Sequence, residues 1–295
     1  MKLRILLLLL ICIPAFSQSP QNLAVFWNLE NFLEDNTRHY YEKVQKVSKT
    51  LLWMGEYYGR MPDLIGVAEV ENLSLLKRLV YNPILKDYMY SIVHFDSPDP
   101  RGIDVALLYR KDSYNLLGAK PVSLKDSLGN LIQTRNILVV ELEDREGRGV
   151  TCLVNHHPSK YSGTSATQTK RERAMRTMVS ICDSLKMVGK SHIISMGDFN
   201  DTPDSVPFRH LPSYMKNMAE DIHARGEGTI KFNGKWEMID MFIVSSDLDC
   251  RMEICYPPFL MTEDKQHTGF KPLRSFSGPR YLGGVSDHCP IVLIF

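Results

Sequence analysis

Nine short apolar runs, rich in β-branched and aromatic residues, constrain this chain more than any other feature. They are Leu23–Trp27, Leu64–Ala68, Ser91–Phe95, Val105–Tyr109, Ile137–Leu142, Val150–Val154, His192–Met196, Ile239–Val244 and Ile291–Phe295. A chain with so many strands must build sheets. Two amphipathic helical patterns lie between them: Val44, Val47, Leu51 and Met54 share one face, and Met175, Met178, Cys182 and Leu185 share another. The pattern is α/β. No internal repeat, low-complexity tract or long Gly/Ser/Pro linker divides it, so residues 18–295 read as one domain. The Ser-, Thr-, Gly- and Lys-rich stretch from His156 to Lys170 reads as a surface loop leading into the second helix.

The N-terminus follows a different rule. Met1-Lys2-Leu3-Arg4 precedes the apolar run Ile5–Ile13, and small residues at Ala15 and Ser17 complete the pattern of a signal peptide, residues 1–17. The run is shorter than the roughly 20 apolar residues a membrane span needs. The expected location is therefore secreted or periplasmic, without a stable membrane span. Removing Lys2 and Arg4, and no acids, takes the formal charge from +1 to −1. That balance excludes a broadly basic nucleic-acid coat, so phosphate would have to be held by local groups and a metal. Five cysteines remain, Cys152, Cys182, Cys250, Cys255 and Cys289, in no zinc-binding spacing. Cys250 and Cys255 could pair in an oxidising compartment; the others read as buried thiols.

Polar residues recur where the strands end: Asn28, Glu30 and Asn31; Glu69, Glu71 and Asn72; Asp104; Asn155, His156 and His157; Asp198 and Asn200; Asp240; Asp287 and His288. A sheet scaffold presents such residues on loops at one rim. Carboxylates and amides are hard ligands for Mg²⁺, Mn²⁺ or Ca²⁺, and imidazoles with carboxylate partners suit proton transfer. A phosphoester needs both, because a cation must neutralise the phosphoryl oxygens while a base aims water in line with the leaving oxygen. Each residue alone has a commonplace reading, such as Asp198 or Asn200 as turn formers before Pro203.

The ordered set Trp27-Asn28-Leu29-Glu30-Asn31, Glu69-Val70-Glu71-Asn72, Arg101-Gly102-Ile103-Asp104, Asn155-His156, Gly197-Asp198-Phe199-Asn200, Ile239-Asp240 and Ser286-Asp287-His288 resembles the endonuclease/exonuclease/phosphatase superfamily. The resemblance implies a DNase I-like fold, a four-layer α-β-β-α sandwich of two mixed β-sheets flanked by helices. It implies that Asn28 and Glu69 hold a divalent metal, Mg²⁺ or else Mn²⁺ or Ca²⁺, with Asp287 beside them. Asp198 would activate the attacking water and Asn200 would hold a phosphate oxygen or the nucleophile. His288, oriented by Asp240, would stabilise the transition state, and His156, partnered by Asp104, is favoured over His157 as the second imidazole. Arg135 and His157 are candidate substrate-binding residues, and Lys160, Lys271, Arg274 and Arg280 could line a groove. The expected enzyme is a metal-dependent, monomeric phosphoric ester hydrolase with nucleic acid as the leading substrate; phospholipids and inositol phosphates are cut by the same machinery. A lipid hydrolase should carry an exposed aromatic hairpin, for which Tyr256–Leu260 is a candidate. A binding protein that has lost catalysis should show a broken motif set, and this one is complete.

Overall fold

The computed structural model describes residues 22–34, 38–160 and 164–295, so the expected leader, residues 1–17, lies outside the described residues. The first sheet joins β1 (Leu23–Phe32), β2 (Leu64–Val70), β3 (Tyr90–His94) and β4 (Asp104–Arg110) with strands Arg251–Ile254 and Ile291–Ile294. Across it the order is Arg251–Ile254, Ile291–Ile294, β1, β2, β4, β3, with only β1 and β2 parallel. The second sheet joins β5 (Tyr114–Val122), β6 (Ile137–Asp144), β7 (Gly149–His156), β8 (Ile193–Asp198) and β9 (Met215–Asn217) with strand Asp240–Ser245. Its order is β5, β6, β7, β8, Asp240–Ser245, β9, and only β7 and β8 run parallel.

The central strands are apolar throughout because both faces are covered. In β1, Ala24 and Phe26 face the core between the sheets, whereas Leu23, Val25 and Trp27 face α1 (Arg38–Tyr57) and α2 (Leu73–Val80). Val44, Val47, Leu51 and Met54 of α1 are buried there, as their spacing predicts. On the other side, α3 (Thr164–Met187) buries Met175, Met178, Cys182 and Leu185 against the second sheet. Four layers result. Phe26 is fully buried between the sheets, so truncating it to alanine should cost about 3–5 kcal/mol.

All nine expected strands form. Within the two large sheets the sequence pattern misses β5, β9 and Arg251–Ile254, all edge strands, and it also misses the short two-stranded hairpins; β5 is mostly exposed and contains Gly118 and Pro121, so it has no apolar run to reveal it. The loop expected over His156–Lys170 is shorter, because α3 begins at Thr164. Asn72 caps α2 by accepting the Leu75 N–H at 3.0 Å. The Cys250–Cys255 disulfide does not form: all five described cysteines are free. Five residues apart and flanking one strand, the two pack into different cores, Cys250 into the one between the sheets and Cys255 into the one under α1.

Candidate active site

Strand pairing in the second sheet sets three chemical groups side by side. His156 at the end of β7 lies opposite Asp198 at the end of β8, and Asp198 lies opposite Asp240 at the start of its strand. Gly197 lets these strands close up here, since a Cβ at that position would lie 2.5 Å from the Asn155 carbonyl oxygen. Asn155 itself is fully buried and donates to Ser195 Oγ at 2.9 Å and to the Met196 carbonyl at 3.2 Å, tying β7 to β8.

The first sheet faces this row with Asn28 and Glu69. Both β1 and β2 break register at the rim, between Asn28 and Phe32 and between Ala68 and Val70. The bulges put Glu30, Asn31 and Glu69 in the left-handed region, at φ of 46°, 54° and 60°. Asn200 joins them at 53°. Non-glycine residues there cost of order 1–3 kcal/mol each, and such strain concentrates at functional sites. Here the bulges turn the Glu69 carboxylate towards the second sheet. The Asn28 amide then bridges the two sheets, donating to Asp198 Oδ2 at 3.0 Å and to Glu69 Oε1 at 3.4 Å, while its oxygen accepts the Glu30 N–H at 2.9 Å.

His288 enters from the loop before the last strand. Its Nδ1–H donates to Asp240 Oδ2 at 2.8 Å, and Nε2 stands 3.9 Å from Asp198 Oδ2 and 3.9 Å from Asp287 Oδ1. Thr229 Oγ also donates to Asp240, and the Trp27 indole donates to the His288 carbonyl at 2.9 Å, anchoring the loop to the core. Burial pulls the His288 imidazole towards neutrality, but the Asp240, Asp198 and Asp287 carboxylates outweigh it and raise its pKa well above the usual histidine value. Burial and the Asp240 charge push Asp198 up to about 7. His288 is thus a proton donor facing a carboxyl that titrates near neutrality. His156 Nε2 lies 3.6 Å from Asp198 Oδ2 and 3.9 Å from Glu69 Oε1, and burial followed by the nearby Arg135 charge holds its pKa well below the usual value.

Three sequence expectations change. Asp104 does not partner His156: its carboxylate receives His94 Nε2–H at 2.9 Å and the Ser97 N–H at 2.8 Å, and His156 Nδ1 has no hydrogen-bond partner among the described residues. Arg135, expected to bind phosphate, is buried beneath the His156–His157 loop, donating to the His156 carbonyl at 3.1 Å, the His157 carbonyl, and Asp99 Oδ2 at 2.9 Å. Its fork is committed to holding the loop. His157, expected at the substrate, turns away to pack edge-on against Phe199 at 4.8 Å, and burial with Arg135 holds its pKa near 3. Of the two imidazoles, His156 faces the carboxylates. Asn200 donates to the His157 carbonyl at 3.0 Å, and its own N–H caps Asp198 Oδ1 at 2.9 Å.

In the sequence Glu30 has no specific role and Arg274 is only one of four cations that could line a groove; the structure puts both at the mouth. Arg274 donates to Glu30 Oε1 and reaches Asp287 Oδ2 at 3.1 Å. Tyr256–Leu260 is no hairpin: Leu260 is buried and Tyr256 donates to the Gly228 carbonyl at 2.8 Å. Exposed aromatics lie instead on other two-stranded hairpins, Phe232 on Ile230–Glu237, Phe270 on Met261–Pro272 and Phe276 on Phe276–Tyr281, where the Tyr281 ring stacks on His39 at 3.7 Å.

The donor chemistry fits a divalent cation. Asp198, Asp240 and His288 offer ligand-type atoms within 4.8 Å of one another, but His288 held as a cation has no lone pair to give. Glu69 and Asp287 offer hard carboxylate oxygens, Asn28 would have to turn its amide to offer its oxygen because Oδ1 now accepts the Glu30 N–H, and the crowding that raises Asp198 is what a nearby cation relieves.

Two mixed sheets with helices on their outer faces, and a carboxylate–imidazole cluster at one rim, define a DNase I-like α/β sandwich. The model of the Endonuclease/Exonuclease/phosphatase family matches residues 30–295, and the chain belongs to that family. No curated protein matches at the level of sequence. Among solved structures, the human Nocturnin catalytic domain superposes with a TM-score of 0.63 at 18% identity, covering 93% of this chain and 94% of its own. The D. rerio TDP2 complexed with single strand DNA product gives 0.60 at 12% identity, covering 93% and 98%. The Bacteroides thetaiotaomicron mannosyl-6-phosphatase gives 0.63 at 15%, covering 92% and 98%. At these identities the likeness is one of fold.

Proposed function

We propose that this chain is a divalent-metal-dependent phosphoesterase that hydrolyses nucleic-acid phosphodiesters by in-line attack of water. The observation that carries the reading is the row His156–Asp198–Asp240, completed by His288 and faced by Asn28 and Glu69 from the other sheet. Asp198 takes the proton of the attacking water, from the centre of the row between His156 and Asp240 where Asn28 and the Asn200 N–H fix its two oxygens. His288, kept charged by Asp240, donates from Nε2 to a phosphoryl oxygen as negative charge builds there. His156 presents neutral Nε2 beside Asp198, and Asn200 fixes the Asp198 carboxylate. Asn28, Glu69 and Asp287 would hold the cation, whose chemistry is to withdraw charge from the phosphoryl oxygens.

The D. rerio neighbour with its single strand DNA product supports nucleic acid as the substrate. A second reading, a sugar-phosphate or inositol-phosphate monoester, draws on the near-neutral charge and the mannosyl-6-phosphatase neighbour. The protein acts as a secreted or periplasmic monomer formed by one catalytic domain, residues 18–295, after loss of its leader; no helix among the described residues is long and apolar enough to cross a membrane. The test is hydrolysis of plasmid DNA, RNA, sphingomyelin, inositol phosphates and mannose 6-phosphate, each with Mg²⁺, Mn²⁺, Ca²⁺ or EDTA, beside Asp198→Ala. Metal-dependent cleavage of DNA or RNA, lost in the variant, supports the reading. Turnover of a monoester alone moves the assignment to the second, and no turnover of any substrate removes both.

A further inference from the structure

Asp287 sits partly exposed at the mouth of the site, with Oδ1 3.9 Å from His288 Nε2 in its own loop and Oδ2 turned the other way. What reaches it is Arg274. The guanidinium donates from Nε and Nη2 to Glu30 Oε1 at 2.8 and 2.6 Å, and Nη2 also lies 3.1 Å from Asp287 Oδ2. Glu30 is held from the other side, with Oε2 accepting the Ser275 N–H at 3.0 Å and its carbonyl accepting Lys43 Nζ at 2.5 Å.

The backbone is arranged to make this possible. Asn28 Oδ1 accepts the Glu30 N–H and bends the chain into its left-handed turn, which sends the Glu30 side chain back to Arg274 and Ser275. On the opposite side, the segments that carry Arg274 and Asp287 form one frame: the Gly284 N–H donates to the Arg274 carbonyl at 3.1 Å and the Val285 N–H to the Leu273 carbonyl at 3.0 Å. Gly284 permits this approach, because a Cβ there would lie 1.6 Å from the Leu273 oxygen. Arg274 is therefore fixed at its backbone by the Asp287 loop and at its head by Glu30.

Stability does not account for the arrangement. An ion pair whose arginine is 47% exposed contributes little, whereas a buried glutamate on left-handed backbone carries both a desolvation and a conformational cost. Orientation of Asp287 does account for it. A carboxylate that must meet a cation in one geometry gains from a partner on one oxygen that leaves the other directed inward, and Asp287 Oδ1 does point to within 3.9 Å of His288 Nε2.

We infer that Arg274, braced by Glu30, is a positioning residue that fixes the Asp287 carboxylate for cation binding. The inference rests on the proposed role of Asp287 as a cation ligand. Arginine is required rather than any cation, because a lysine cannot engage Glu30 through two nitrogens and touch Asp287 as well.

The experiment is calorimetric titration of the metal-free full chain with Mn²⁺, comparing wild type, Arg274→Lys, Glu30→Gln, Asp287→Asn and the double variant Arg274→Lys/Asp287→Asn, with the metal-free melting temperature of each. Each of the first two substitutions should weaken Mn²⁺ binding about 10- to 100-fold with little change in melting temperature. Adding Arg274→Lys to Asp287→Asn should weaken binding no further, since the arginine acts through that carboxylate. Mn²⁺ affinities within twofold of wild type in both single variants, or a full additional loss in the double, would overturn the inference while leaving the phosphoesterase reading intact. If one substitution prevents folding, the other decides. A wild-type chain that binds no Mn²⁺ and hydrolyses none of the panel overturns both.

Discussion

Replacing Arg135 by methionine tests whether the His156–His157 loop is held from beneath. The substitution keeps most of the buried volume and removes one charge and three donated hydrogen bonds, to Asp99 and to the carbonyls of His156 and His157. Arg135 is 5% exposed and Asp99 7%, so the pair is shielded from solvent. Breaking a buried pair from one side costs about 3–5 kcal/mol, chiefly because the remaining charge is stranded. Asp99 keeps Arg101 at 3.2 Å, but that side chain is half-exposed, which places the expected loss near the lower bound, about 3 kcal/mol. With a urea slope of about 3 kcal/mol/M, the midpoint should fall by about 1 M. The companion variant Arg135→Met/Asp99→Leu removes the stranded carboxylate and should recover at least half of the loss. Urea denaturation followed by tryptophan fluorescence measures both. A midpoint shift below about 0.3 M, or a double variant less stable than the single, would refute the claim that this buried pair holds the loop.

Three further outcomes are expected. Asp240→Asn should lower kcat about 10²- to 10⁴-fold with little change in KM, and should bring the His288 titration down towards the ordinary histidine range, readable by NMR. Glu69→Gln, or chelation of wild type by EDTA, should abolish turnover, and added Mg²⁺ or Mn²⁺ should restore it only in the wild type; equal restoration in both would remove Glu69 from the cation site. Despite burial, hydrogen bonds from Arg135 and Arg101 hold Asp99 below its usual carboxylate range, so its stabilisation is present above the unfolded pKa of about 3.9 and is lost as pH falls through the lower folded value. Acid denaturation curves should therefore steepen below about pH 4 in the wild type and flatten in Asp99→Asn; parallel curves would show that Asp99 is not responsible.

The elements most legible in the sequence were those covered on both sides. β1, β2, β4, β7 and β8 are continuous apolar runs, and Val44, Val47, Leu51 and Met54 trace a helix face that meets them. β5 was illegible because an edge strand with one solvated face needs no apolar pattern, and Arg251–Ile254 because this edge strand, nowhere fully buried, alternates charged and apolar residues instead of forming an apolar run. At the site, Asn28, Glu69, Asp198, Asp240 and His288, which the structure brings together, stood out because each lies within or a few residues from a legible apolar run. Asp104 was placed at the right rim but given the wrong imidazole, since His94 lies on the neighbouring strand β3 and only the β3–β4 pairing brings it within 2.9 Å. Arg135 was misread for a similar reason. A guanidinium that binds phosphate and one that binds carbonyls look alike in sequence, and only burial separates them.

That division explains why the site sits where the two sheets meet. The second sheet supplies His156, Asp198 and Asp240 as neighbours in one row, and a row of that kind shares protons but is crowded with charge: Asp240 raises Asp198, and Asp198 and Asp240 together raise His288. The first sheet cannot extend the row, because its hydrogen bonds run to its own strands. It can only lean across, and the bulges at Asn28–Phe32 and Ala68–Val70 make it lean, turning Asn28 onto Asp198 and Glu69 towards Asn28 and His156 at the cost of left-handed backbone at Glu30, Asn31 and Glu69. Straightening either bulge would return these side chains to the alternation of a regular strand and withdraw Glu69 or Asn28 from the row. The strain at the rim of the first sheet is thus the physical link between two separately folded layers, and the chemistry proposed for the site requires both.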